Sequence, residues 1–297
     1  MRIAVTGKQG QLARSLRERA AIDPDITLVC LGRPELDLSR PEGISQALAC
    51  CNPDLIVNTA AYTEVDKAES DADAAFAVNA DGAGAVARAA EQLGLPIIQI
   101  STDYVFDGLA RAPYPETAPT NPLSVYGTSK LAGETLVAAA NPRHLIIRTA
   151  WVYSPFGKNF VKTILRLAAE REELQIVDDQ TGNPTSALDL ADGVLAAARA
   201  ALRPGFKEWG IYHMAGTGST SWAGFAAHLL DESELAGYSS AKIKPIPGAE
   251  FATAAARPSN SRLDCTKAEK IFDYRAPDWR HSSSIIVKRL LDGGQGA

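Results

Sequence analysis

Short apolar runs punctuate the first half of the chain, at residues 2–5, 26–31, 54–58, 97–100 and 144–148. They are rich in Ile, Leu and Val and alternate little, the mark of strands covered on both faces. Between them, residues 11–20, 41–50, 72–93 and 123–140 predict helices. Pro41 opens the second helix, where its missing N–H goes unnoticed. Gly94 and Pro96 close the third, and Asn141-Pro142 closes the fourth. This alternation predicts an α/β fold, a Rossmann-type doubly wound parallel sheet.

The rhythm loosens after about residue 150. Helices over 159–171 and 187–202 flank a short apolar run at 174–177. Loops rich in Gly, Pro and Ser cover 178–186, 203–210, 215–221 and 245–262. The pattern predicts a smaller interleaved α/β substrate-binding lobe. Residues 1–151, rejoined by 186–203, are expected to form the NAD(P)-binding Rossmann domain, with 152–185 and 204–297 as the lobe. The glycine-rich stretch 293–297 reads as a frayed tail.

Composition narrows the class. Hydrophobic residues make up 46% and charged residues 22%, so a soluble globular protein is expected. A net charge of -5 argues against a nucleic-acid partner. No apolar run is long enough to span a bilayer, and no membrane partner is expected. The chain opens on a strand without a signal-peptide layout. Cys30, Cys50, Cys51 and Cys265 have neither disulfide nor metal-ligand spacing, which fits a reducing cytoplasm.

Two loops carry candidate chemistry. Gly7, Gly10 and Ala13 follow the first strand as Gly-x-x-Gly-x-x-Ala. Gly7 suits a tight turn, Gly10 a close approach to pyrophosphate, and Ala13 close helix–strand packing. The helix start beyond them favours phosphate. After the second strand stands Arg33, where many NAD sites carry an acid. An arginine there either accepts the 2′-phosphate of NADP or lies solvated in the loop. NADPH is therefore the expected cofactor, with NADH possible.

Tyr126 and Lys130 lie one helical turn apart and can face one cleft. A nearby ammonium favours phenolate, so Lys130 is expected to lower the Tyr126 pKa towards neutrality. Such a tyrosine can exchange a proton with a carbonyl or alcohol. Ser101, Thr102 and Asp103 follow the fourth strand, at the end where open parallel sheets bind ligands. A hydroxyl there can orient a carbonyl while Tyr126 supplies the proton.

The stretches 54–63, 65–70, 101–108, 126–134, 148–153, 159–160, 179–185 and 257–261 together resemble the extended short-chain dehydrogenase/reductase family. Within it the chain resembles the dTDP-4-dehydrorhamnose reductases along nearly its whole length. The resemblance implies NAD(P)H-dependent reduction of the C4 keto group of dTDP-4-dehydro-β-L-rhamnose to dTDP-β-L-rhamnose, the final step of dTDP-rhamnose synthesis. It makes Tyr126 the proton donor, Lys130 the partner of the nicotinamide ribose and Thr102 the carbonyl-orienting group. Gly10, Gln11 and Leu12 would hold the pyrophosphate, with Gly7 in the same cofactor-binding loop. Asp37, Leu38, Ala61, Tyr62 and Thr63 would line the adenosine and ribose. Asp103, Trp151, Asn159 and Arg257 would face the substrate, with the Arg257 fork on its diphosphate.

Some members of the family form dimers bridged by magnesium on glutamates. The corresponding positions here hold Ser15 and Leu188, neither a carboxylate. A monomer or homodimer without that bridge is expected, and no metal. Competing readings are a related epimerase or dehydratase, and a non-catalytic NADP-binding subunit like the regulatory subunit of methionine adenosyltransferase. The dehydratases place an Asp-Glu pair after the threonine; here Thr102 is followed by Asp103-Tyr104.

Overall fold

The computed structural model describes residues 1–238 and 240–293, so the expected tail beyond Gly293 lies outside the described residues. In chain order the first half runs β1 (Arg2–Thr6), α1 (Gln11–Ala20), β2 (Thr27–Leu31), α2 (Ile44–Ala49) and β3 (Leu55–Asn58). It continues with α3 (Val65–Ala68), α4 (Ala72–Phe76), α5 (Ala83–Gln92), β4 (Ile97–Thr102), α6 (Val125–Ala140) and β5 (His144–Thr149).

The helix expected over 72–93 is not uniform. A π-helical turn, Ala77–Gly82, separates α4 from α5. Close backbone packing accompanies the widening. A Cβ on Gly82 would lie 2.6 Å from the Leu38 carbonyl, and one on Gly133 of α6 would lie 2.0 Å from that of Asn79. Turns of this kind are frequent at functional sites. The fourth strand is also longer than its apolar run, because Ser101 and Thr102 remain paired with Arg148 and Thr149 of β5.

The second half adds β6 (Val152–Tyr153), α7 (Phe160–Glu170), β7 (Glu173–Val177), β8 (Thr181–Gly182), β9 (Thr185–Ser186) and α8 (Ala187–Ala201). Next come β10 (Gly210–His213), β11 (Thr220–Ser221), α9 (Trp222–Leu235) and β12 (Lys242–Ile246). β13 (Asn260–Ser261), α10 (Thr266–Phe272) and α11 (Trp279–Gly293) complete the described chain.

The central sheet has the order β10-β5-β4-β3-β1-β2, and every pairing in it is parallel. One face is covered by α1, α8 and α10 through Leu12, Leu16, Leu195 and Phe272. The other is covered by α2, α5 and α6 through Leu48, Val86 and Val137. Both faces are apolar because both are buried, which is why the strands lack alternation. α8 packs on the central sheet through Leu190, Val194 and Leu195. The boundary at 204 needs correction: β10 pairs with β5 and is the sheet's edge strand. Four residues containing Gly210 carried too weak an apolar signal to reveal it.

The lobe holds its own core, in which Tyr153, Ile164, Phe225, Leu229 and Trp279 pack together. Small sheets stiffen it: β7 with β12, β6 with β9, and β11-β8-β13. Among the described residues no helix is long and apolar enough to cross a membrane.

Candidate active site

Strand order reverses between β1 and β3, and the loops after these two strands form a crevice at the carboxyl edge of the sheet, where such folds bind ligands. Gly7 has φ +98°, a value that side chains disfavour, and its N–H donates to the Leu31 carbonyl at 2.6 Å. A Cβ there would stand 3.1 Å from Thr59 Oγ1, so the β1 and β3 loops touch through this glycine. Gly10 precedes α1 with open space where a Cβ would point. No side chain caps α1 and no acid occupies its first turn, so its leading N–H groups suit a pyrophosphate. Leu12 is buried beneath them.

Arg33, exposed after β2, acts on Asp37. Hydrogen bonds from Ser39 lower the Asp37 carboxyl, and the Arg33 charge adds to them. Leu38 is buried under Gly82. The Ala61–Thr63 loop is pinned by Asn79: Tyr62 N–H donates to Asn79 Oδ1 at 2.8 Å, and Asn79 Nδ2 donates to the Tyr62 carbonyl at 3.1 Å. The same Nδ2 meets Ser129 Oγ at 3.0 Å, so the loop is tied to α6.

Buried polar side chains run across the strand ends. Thr6 bonds Asn58, Asn58 Nδ2 donates to Gln99 Oε1 at 2.6 Å, and Gln99 Nε2 donates to the Ile100 carbonyl at 2.9 Å. Lys130 Nζ donates to that same carbonyl at 2.7 Å. Ser124 caps α6 by accepting from Gly127 N–H at 3.1 Å. Gly127 is needed where α6 begins, since a Cβ would lie 2.2 Å from the Tyr104 carbonyl. The helix start thus presses on the turn after β4 and brings the Tyr126 phenol near Thr102, whose hydroxyl favours its phenolate.

The electrostatics differ from the sequence expectation. Burial pushes the Tyr126 phenol above its ordinary value, Thr102 partly offsets this, and the charge of Asp103 adds to it. Lys130 does not lower it, because the ammonium is turned to Ile100 and is itself pulled by burial to about 8. Asp103 is also buried, and its carboxyl is pushed up to about 6 by loss of solvent, with Ser261 and Thr102 opposing. Thr102 Oγ1 donates to its Oδ1 at 3.1 Å, while Oδ2 has no hydrogen-bond partner among the described residues.

Beside this group the lobe opens into a cavity of about 1280 Å³. Tyr104, Phe160, Trp222, Phe251 and Arg257 are among its walls. Arg257 Nη2 donates to Asp66 Oδ2 at 2.8 Å, and the Arg257 charge favours the phenolate of Tyr104, whose pKa burial raises. Tyr104 packs edge-on against Tyr126, with ring centroids 5.5 Å apart. Trp151 has φ +47° and stacks on Trp222 at 3.5 Å, flanked by Gly182, where a Cβ would lie 2.4 Å from the indole. Asn159 is placed differently from the expectation that it faces substrate. It caps α7, and its Nδ2 is shared by the Ser154 and Phe156 carbonyls and Gln11 Oε1. It therefore braces Gln11 instead.

A family model described as the RmlD substrate binding domain matches residues 1–291. The chain is 48% identical to a dTDP-4-dehydrorhamnose reductase from Sinorhizobium fredii, over 100% of both chains. It is 41% identical to the Salmonella typhimurium enzyme of that name, over 98% of this chain and 97% of the other. The chain belongs to the dTDP-4-dehydrorhamnose reductase family. A reductase structure from Clostridium acetobutylicum superposes with a TM-score of 0.90 at 34% identity, covering 98% of this chain and 100% of that one. A Bacillus anthracis reductase, solved in complex with NADP, gives 0.88 at 34% identity, covering 97% and 99%.

Several residues around this reductase site escaped the sequence reading. Asn79, Tyr104 and Trp222 act through contacts made across the fold, with partners 17 to 71 positions away in sequence. Glu134 lies within the Tyr126–Glu134 stretch, but only its burial against Arg148 shows that it carries charge into the core. Among the described residues no cluster of His, Cys, Asp and Glu could hold a metal ion. Ser15 and Leu188 are both buried.

Proposed function

We propose that this chain reduces the C4 keto group of dTDP-4-dehydro-β-L-rhamnose to dTDP-β-L-rhamnose, closing the synthesis of that nucleotide sugar. The observation that carries the reading is the approach of the buried Tyr126 phenol to Thr102 at the end of β4, with Lys130 one turn along the helix. The family relationship supplies the substrate.

NADPH, when bound, supplies the hydride. The Gly7–Leu12 loop and the uncapped start of α1 receive its pyrophosphate. Arg33 takes the 2′-phosphate, and Asp37, Leu38 and Ala61–Thr63 line the adenosine and ribose. Lys130 holds the nicotinamide ribose. Thr102 donates to the C4 oxygen and fixes its direction. Tyr126, kept protonated at neutral pH by burial, gives its proton to that oxygen as negative charge develops there. Reduction calls for a protonated donor, and the phenol of the cofactor-free chain holds its proton at neutral pH. Asp103 and Trp151 stand on the sugar side, and Arg257 offers its guanidinium to the diphosphate.

The test is NADPH oxidation by the purified chain with the dTDP-4-keto sugar, repeated with UDP and GDP analogues. Absence of turnover with every one of them refutes the reading. We expect a monomer or homodimer whose mass in solution is unchanged by EDTA, because positions 15 and 188 offer no carboxylate.

A further inference from the structure

Behind the catalytic group lies a buried charge pair that the reduction, as derived above, leaves without a task. Ser101 of β4 and Arg148 of β5 are register partners, so their side chains leave the same face of the sheet, the one under α6. Both end on Glu134. Ser101 Oγ donates to Oε1 at 2.5 Å, Arg148 Nε to Oε1 at 2.9 Å, and Arg148 Nη2 to Oε2 at 2.6 Å. Glu134 is 4% exposed and Arg148 2%.

A buried ion pair contributes little stability compared with apolar residues of the same volume. Its position suggests another role. Glu134 stands one turn beyond Lys130 on α6, and both side chains are buried. Its partner Ser101 sits between Ile100, whose carbonyl takes Lys130, and Thr102, which lies near the Tyr126 phenol. Glu134 thus touches the strand end that carries both groups.

We propose that Glu134 is a positioning residue for the reduction: its carboxylate, locked by Arg148 and Ser101, is the counter-charge that holds the buried Lys130 ammonium at the end of β4. This rests on the reductase reading above.

The surroundings single out Glu134. Tyr126 shares its helix, Asp103 follows β4, Arg148 lies on β5 and His213 on β10, yet besides burial only the Glu134 charge acts appreciably on Lys130. His213, held neutral by burial, adds no charge near neutral pH. Asp73, Asp81 and Arg88 belong to segments that meet α6 through Ser129, Gly133 and Leu136, and Glu69 accepts from the Val125 N–H at the start of α6. Burial draws the Lys130 ammonium down to about 8, and Glu134 opposes that fall.

Two measurements test the assignment on the full chain. In cofactor-free protein with isotope-labelled lysine, NMR follows the titration of Lys130, identified by its absence in Lys130→Met. Glu134→Gln is expected to lower the midpoint by about one pH unit, about tenfold in proton affinity, and Glu134→Asp to restore most of it. In turnover with NADPH and the keto sugar, the alkaline fall of kcat moves down by the same interval, while KM for the sugar changes less than about twofold. A merely structural residue would lower kcat without moving either midpoint, and that result overturns the proposal. Glu134→Gln leaves Arg148 unpaired. Where it does not fold, Glu134→Gln/Arg148→Met replaces it with the same expected shift, and an unmoved Lys130 midpoint there overturns the proposal equally. Wild-type protein that does not turn over the sugar removes the reductase reading, while the lysine titration still decides on Glu134.

Discussion

Arg257 donates to Asp66 across 2.8 Å, linking the segment that lines the lobe cavity to the helix that follows the Ala61–Thr63 loop. Asp66 also accepts from the Ala255 N–H at 3.1 Å, so one carboxylate steadies both the guanidinium and the backbone near it. The pair is partly exposed, at 24% for Arg257 and 45% for Asp66. Solvent therefore screens it, and the guanidinium can turn to a diphosphate at modest cost.

Arg257→Ala is expected to raise KM for the nucleotide sugar about tenfold or more, the scale of a lost charge-assisted hydrogen bond. KM for NADPH should stay nearly constant. Steady-state kinetics with each substrate varied in turn checks this, and an unchanged KM for the sugar removes Arg257 from the binding site.

Tyr126→Phe removes the proton donor while keeping the ring against Tyr104. We expect kcat to fall on the order of 10²–10⁴-fold, with NADPH affinity retained in a fluorescence titration. Thr102→Val should lower kcat less, since the hydroxyl orients the carbonyl and does not supply the proton. Retention of most of kcat in Tyr126→Phe refutes the mechanism.

Asp103 carries a pH-linked strain. Burial raises its carboxyl from the ordinary 3.8 to about 6. Between those values the folded chain binds the extra proton, so stability from this residue falls as pH rises through the window. Above it the charged form costs on the order of 2–3 kcal/mol. Asp103→Asn is expected to match wild type near pH 4 and exceed it by about 1–3 kcal/mol at neutral pH. Denaturant melts across that range measure the difference, and equal stability at both ends contradicts the account.

Cofactor preference is predicted to rest on Arg33. Replacing it with Ala should raise KM for NADPH about tenfold and leave KM for NADH little changed, because only the former carries the 2′-phosphate. Equal effects on the two cofactors would assign Arg33 to the solvated loop.

Gly133→Ala places a Cβ 2.0 Å from the Asn79 carbonyl. Backbone stands on the far side, so the helices must separate. A loss of about 3 kcal/mol or more follows if α6 cannot move. A thermal melt within a degree or two of wild type would show that the packing is slack.

Much of this protein was legible along the chain. Strands buried on both faces must be apolar throughout, and helices that cover them must start and stop at recognisable residues. β1 to β5 and their helices followed from that pattern, as did the loop at Gly7 and Gly10 and the turn separating Tyr126 from Lys130. Local sequence also placed Ser101–Asp103 at a strand's carboxyl end. The tertiary structure decided what depends on contacts between distant segments. β10 joins the sheet because β5 offers an edge, which a short strand does not announce. Asn159 faces Gln11, and Trp151 finds Trp222, only once the lobe folds back. The proton affinities belong to this second class. A lysine one turn from a tyrosine suggests a lowered phenol, but desolvation and the turn of Lys130 towards Ile100 reverse that direction. Charge energies depend on distance and local dielectric, and neither is written in sequence spacing.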